Sequence, residues 1–240
     1  MPKFHERWTI LPHGPLGEID DGILTVTGQI PMPLGNFPRR MTVVRLIGGR
    51  TAIFSAMALP EPQMQRIEAL GRPAVLIVPS GAHRLDAKIW KQRYPDIAVL
   101  APPGARAAVK EAVPVDTTQD NLADPDVRFH LVSGMKEREA ALIVRRAEGT
   151  TLILNDVIGN VRHPHGIGAK IMARLFGFGV HGPRIPRPIK RRIPHPAALA
   201  RQLRDWAGGE DLRRIIVSHG EMITENPAAT LTRIATELEG

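Results

Sequence analysis

Val75-Leu76-Ile77-Val78-Pro79-Ser80-Gly81-Ala82-His83-Arg84-Leu85-Asp86 is the stretch on which the reading of this chain turns. The four apolar residues that open it have the composition of a buried strand, and Pro79-Ser80-Gly81 ends them. His83 and Asp86 then stand three residues apart at the start of a segment, 84–93, whose composition suits a helix. Residues at i and i+3 share a helix face, so an imidazole and a carboxylate can address one point. A strand end that opens onto a helix start is a common place for a site in a layered α/β protein.

Two further apolar runs end in the same way. Residues 151–154 lead into Asn155-Asp156, and residues 214–217 lead into Ser218-His219-Gly220. On the N-terminal side, 41–47 and 51–55 flank Gly48-Gly49 and read as a hairpin, preceded by a strand over 22–27. Pro31, Pro33 and Pro38 predict no regular element directly after that strand. Residues 61–70 have helical spacing with Gly71 as a stop. A strand follows at 97–100, a short helix at 105–112 and a half-buried strand at 127–132. Residues 140–144 and 151–154 bracket Glu148-Gly149 as a second hairpin. An irregular basic insertion occupies about 160–196, apart from a helix near 170–176. Residues 196–206 read as a helix with proline in its first turn, and Asn226 reads as the cap of a last helix with Pro227 just inside. Helices and strands alternate first, and strands meander later. This predicts an α/β chain of two packed sheets with helices outside, in one domain over 1–240.

Composition sets limits on function. The chain has 240 residues, 43% of them hydrophobic, which suffices for a sizeable core. Its 32 Lys and Arg against 24 Asp and Glu leave a net charge of +8, suited to anionic partners. The arginines are dispersed, so a basic solvated surface is the plainer reading. There is no cysteine, which excludes disulfides and thiolate metal ligands and fits a reducing cytoplasm. No apolar run approaches the roughly 18 residues of a membrane helix, and residues 1–7 lack the apolar centre of a signal peptide. A cytoplasmic protein without a membrane partner is expected.

The three clusters together resemble the metallo-β-lactamase-like superfamily. Its members carry T-H-x-H-x-D-H after an early strand, then G-H-T, an aspartate after another strand, and G-H-G near the C-terminus. The resemblance runs from Met41 to the last helix. Residues 41–55, the Gly71 stop, and Ile89-Trp90 to Tyr94-Pro95 look like a divergent bacterial branch. It implies a four-layer αββα sandwich. His83 matches the middle histidine of the first motif. Gly81 and Asp86 stand at its outer histidines, and Leu85 stands at its aspartate. Met135, in Ser133-Gly134-Met135-Lys136, stands where the superfamily has the histidine of its second cluster. Asp156 and His219 match the later aspartate and the last histidine.

In that superfamily two metal ions share the aspartate and a hydroxide that attacks the substrate. Here the resemblance implies at most one metal, with His83, Asp86, Asp156 and His219 as the candidate ligands. Asp86, Asp156 and His219 would form a three-ligand set for zinc, manganese or iron, or the site holds no metal. Each residue also has an ordinary use. Asp86 suits a helix dipole, His83 a cap or a pocket, Asp156 an Asx-turn and His219 a turn before Gly220. Their common place at strand ends is what favours a shared site. His163 and His165 follow Asp156 closely and are candidate accessory ligands or proton relays, and His130 is a weaker one.

Within the insertion, Arg184, Arg187, Lys190, Arg191 and Arg192 stand among three prolines. Proline favours an extended arm, expected to cross the mouth of the pocket and to hold an anion there. The arm has no aromatic residue for base stacking, and a solvated loop is the alternative. The resemblance implies a metal-dependent hydrolase acting on an ester, thioester, lactone or phosphodiester. One alternative is a non-catalytic protein of the same fold that binds a small anion. The other is nucleic-acid binding through the basic arm. The expected partner is a small anionic molecule.

Overall fold

The computed structural model describes residues 4–32, 35–164, 166–209 and 211–240. Its first sheet has the order β1 (Gly17–Asp20), β2 (Ile23–Ile30), β3 (Phe37–Leu46), β4 (Arg50–Phe54), β5 (Arg72–Ile77) and β6 (Ala98–Leu100). The first four strands meander antiparallel, and β5 and β6 join in parallel. Parallel pairing needs crossovers, supplied by α1 (Glu61–Leu70) before β5 and α2 (Ala87–Arg93) before β6. The second sheet contains β7 (Val127–Leu131), β8 (Ala140–Arg146) and β9 (Gly149–Asn160), with β10 (Leu212–Gly220) beside β9 at the far edge. The other helices are α3 (Arg106–Lys110), α4 (Ile167–Phe176), α5 (Arg187–Lys190), α6 (Pro196–Ala207) and α7 (Pro227–Glu239).

Neighbouring residues of the apolar runs bury on opposite faces, and this makes the layers. Val43, Ile53 and Leu76 pack with Met64, Ile67 and Trp90 of the outer helices. Their neighbours Val44, Phe54 and Ile77 pack across the sandwich with Leu142, Ile153 and Ile216. On the far face, Leu154, Ile215 and Val217 meet Leu199 and Leu203 of α6 and Leu231 and Ile234 of α7. Strands buried on both faces read as unbroken apolar runs, which is why β5 stood out in the sequence. Each large side chain buried this way contributes roughly 1.5–3 kcal/mol. The result is helix, sheet, sheet, helix, as predicted.

Several local expectations are corrected. β3 already includes Phe37 and Pro38, paired with Ile30 and Gln29, where the prolines predicted no regular element. The ladder to β4 starts only at Thr42, so Pro38 lies where the strand has one neighbour and a proline is tolerated. Helix α2 starts at Ala87 rather than 84, so His83 and Asp86 do not share a helix face. The insertion is not wholly extended: α5 is one helical turn with Pro188 in its first positions, where a missing N–H does no harm. Asn226 precedes α7 in a left-handed conformation, φ 47°, and its side chain makes no capping bond.

Candidate metal centre

Three side chains converge where the two sheets meet. His83 follows β5 of the first sheet, and Asp156 and His219 lie on β9 and β10 of the second. Asp156 Oδ1 lies 3.1 Å from His83 Nε2 and 2.8 Å from His219 Nε2. One ligand atom from each residue falls within 4.8 Å of the others.

Strand register places two of them. Along β10 and β9, Val217 pairs with Leu154, but His219 pairs with Gly159. β9 therefore spends three more residues than β10 over this interval, and Asp156 lies in the displaced stretch. Such irregularities re-aim side chains at sheet ends. Gly220 permits the close pairing after His219: a Cβ there would come 2.1 Å from the Asn160 carbonyl oxygen, and its φ is +106°. Arg40 ties this strand end to the first sheet. Its guanidinium donates to the carbonyls of Val217 and Gly220, on either side of His219, and to Thr25 Oγ1. Burial lowers the Arg40 pKa to about 10, against the opposing pull of Glu221.

Both imidazoles are held from behind. His219 Nδ1 donates to the Pro38 carbonyl at 2.7 Å, and His83 Nδ1 bonds Ser55 Oγ at 2.7 Å. Ser55 adopts a left-handed φ of 57° to do so. A carbonyl only accepts, so His219 carries its proton on Nδ1 and turns Nε2 toward Asp156. The Nε2 atom opposes the carboxylate oxygen either as an imidazolium or through a shared cation. Metal-binding histidines are oriented by bonds of this kind at the far nitrogen. Ligand atoms of a tetrahedral zinc ion lie about 3.4 Å apart. The observed separations fall a few tenths of an ångström short of that, and the donor set fits a divalent metal.

The electrostatics agree. Burial alone would push the Asp156 carboxyl up, but the facing charges and hydrogen bonds of His83 and His219 outweigh it and hold Asp156 below the usual carboxylate range. Ser80 Oγ reaches Asp156 Oδ2 at 3.4 Å, and Asn155 Nδ2 donates to Ser80 Oγ and to Glu139 Oε2. Glu139 is displaced the opposite way, well above its usual value, first by burial and then by the charge of Asp156.

Asp86, the remaining expected ligand, does not join these three. Its carboxylate is buried between His5 Nδ1, 2.8 Å from Oδ1, and Arg39 Nη1, 2.5 Å from Oδ2. His83 takes the place in the ligand set that the sequence reading assigned to Asp86, because α2 begins one residue after Asp86 and turns its side chain away. The other motif positions are filled. A Cβ at Gly81 would lie 2.9 Å from the Ala108 Cβ, Leu85 lines the cavity, and Met135 packs in the core beneath α6 and α7. His163 is exposed and bonds Glu221. His130 is on β7, where burial lowers its pKa. His165 lies outside the described residues.

The insertion does reach the cavity, but with Pro188 and Ile189. Among its cations, Arg187 donates to the Leu175 carbonyl and Lys190 to that of Glu237. Arg184 pairs its backbone with Gly159, and Arg191 and Arg192 are exposed. The residues that sequence reasoning missed are Ser55, Pro38, Arg39, Arg40 and His5. The doublet Arg39-Arg40 inside a largely apolar strand is the one signal that marked any of them.

The centre opens into a cavity of about 270 Å³, whose wall includes Arg39, Ser55, His83, Asp156 and His219. A second cavity of about 480 Å³, walled by Met172, Ala173, Phe176 and other apolar residues of α4 and the β2–β3 connection, shares Phe37, Phe178 and Pro188 with the first. The Phe37 ring lies 4.5 Å from the His219 ring and 4.9 Å from that of Phe178.

No protein-family model matches the chain, and no curated protein matches its sequence. Solved structures do match. A metallo-β-lactamase from Erythrobacter litoralis superposes with a TM-score of 0.62 at 14% identity, over 92% of this chain and 96% of its own. The DIM-1 metallo-β-lactamase gives 0.62 at 13% identity, over 95% and 99%. FIM-1 from Pseudomonas aeruginosa, solved in a mono-zinc form, gives 0.55 at 13% identity, over 95% and 96%. The likeness is one of fold: this chain has the metallo-β-lactamase fold.

Proposed function

We propose that this protein is a hydrolase that works with one divalent metal held by His83, Asp156 and His219. The observation that carries the proposal is the convergence of two oriented imidazoles on one carboxylate oxygen inside a cavity. A metal held there would supply a Lewis acid and bring the pKa of a water toward about 7. Ser55 and the Pro38 carbonyl keep the imidazoles in place. Ser80 steadies Asp156 through Oδ2. Phe37 and Phe178 exclude water from one side of the centre. With Gly81, Leu85 and Met135 at the other motif positions, a single metal is the reading the chain supports. The mono-zinc form of FIM-1 makes zinc the first metal to try, ahead of manganese and iron.

The adjoining apolar cavity favours an ester, thioester or lactone with a hydrocarbon group over a phosphodiester. Elemental analysis of protein purified without chelator should find about one zinc-class metal per chain, and almost none in Asp156→Asn. Hydrolysis of 4-nitrophenyl esters should then rise with acyl length from acetate to octanoate and vanish in Asp156→Asn. A protein that takes up no metal from a zinc-containing buffer, or an Asp156→Asn variant that keeps its metal, would refute the proposal.

A further inference from the structure

Arg39 stands apart from the other cations of the chain. It is 5% exposed and belongs to the wall of the cavity that holds His83, Asp156 and His219. Its Nη1 donates to Asp86 Oδ2, while its Nε and Nη2 are buried without a hydrogen-bond partner. Buried guanidinium N–H groups are normally satisfied, and unpaired ones call for an explanation. The N–H bonds of Nε and Nη2 run side by side along one edge of the guanidinium plane. They form the fork that matches two oxygens of a carboxylate or phosphate.

The neighbours of Arg39 fix its position rather than fill this edge. Both oxygens of Asp86 are engaged: one bonds Arg39 and the other bonds His5. His5 is itself anchored, its backbone N–H donating to the Leu85 carbonyl at 2.7 Å. The guanidinium is thus braced from behind, which restricts its rotation and leaves the fork preorganised. Asp156, the carboxylate that lines the cavity, faces the two imidazoles. With a divalent cation at Asp156, the positive charge around the cavity exceeds the negative charge of Asp86 and Asp156 together.

We propose that Arg39 is the oxyanion anchor of this cavity: its Nε–Nη2 edge takes a carboxylate or phosphate group carried by the substrate, beside the metal centre. The inference rests on the metal-site reading of the same cavity for its charge balance. It makes the substrate an anion whose charged group and scissile bond are neighbours. It also moves the anion site from the basic insertion, where the sequence had placed it, to a buried arginine of β3.

The test is calorimetric titration of succinate and of inorganic phosphate into the zinc-loaded protein and into Arg39→Lys, with zinc content measured on both. Lysine keeps the charge opposite Asp86 but has no fork. At least one anion should bind the parent and bind Arg39→Lys about tenfold or more weaker, with zinc content unchanged. Which anion shows the larger loss separates a carboxylate from a phosphate substrate. If Arg39→Lys fails to fold, the paired variant Arg39→Met with Asp86→Asn removes the buried charge together with its partner and should show the same loss. Equal binding by parent and variants, or no binding of either anion by the parent, overturns the proposal. A parent without zinc that still loses anion binding in Arg39→Lys would refute the metal reading and leave the anchor standing.

Discussion

Replacing Gly81 by Ala gives a sharp test of why the first motif is incomplete. The backbone there is not in the left-handed region, so alanine fits the local conformation. By unfolded-state entropy alone the substitution should stabilise by about 0.4–1 kcal/mol. The new Cβ, however, would sit 2.9 Å from the Ala108 Cβ, whereas carbon atoms in contact prefer about 3.5–4.0 Å. Ala108 is part of α3 and has no rotamer with which to escape, so the backbone must yield. Overpacking of this kind costs about 1–3 kcal/mol, and the net effect is destabilising. Ala108→Gly removes the obstructing atom at a helix-propensity cost of up to about 1 kcal/mol. In that background Gly81→Ala should reverse sign and stabilise. Urea denaturation of the four proteins in a double-mutant cycle reads the coupling directly, expected at about 1 kcal/mol or more. The same sign for Gly81→Ala in both backgrounds would refute the steric argument. A histidine at 81 would then be blocked by something other than α3.

Two further outcomes follow from the geometry of the centre. Asp86→Ala should destabilise the fold by about 3–5 kcal/mol in urea unfolding, because it strands the buried Arg39 charge, yet the purified variant should keep its zinc. Loss of zinc with stability intact would put Asp86 back among the ligands. Ser55→Ala should weaken zinc binding about 10- to 100-fold in competition with a chromogenic chelator, as the bond that orients His83 is removed. An unchanged affinity would mean that packing alone sets the ring.

What could be read beforehand was whatever is written in local pattern. Buried strands such as β5 appear as apolar runs, α1 announces itself by spacing and by Gly71, and His83, Asp156 and His219 each follow such a run. The candidate ligand set was harder because it depends on where α2 begins, and a shift of three residues decides whether Asp86 faces His83 or Arg39. The start of β3 was missed because three prolines outweighed the strand, and with it went Pro38 and Arg39. Their partners lie far away in sequence: Pro38 with His219, Arg39 with Asp86, Arg40 with Val217 and Gly220. Likewise, no local signal joins His5 to a carboxylate 81 residues on. Such pairings belong to the tertiary fold and leave no periodicity in the chain.

The origin of the three candidate ligands in two different sheets has a mechanical consequence. His83 is attached to one half of the sandwich, and Asp156 and His219 to the other. An ion bound by all three acts as a rivet through the seam, and prying the sheets apart must first release it. Occupancy and cohesion are then one equilibrium. A cation at a hundredfold its dissociation constant would add about 2.7 kcal/mol to the resistance of the whole sandwich to unfolding. A chelator would loosen the seam itself, at the same edge where the cavity opens.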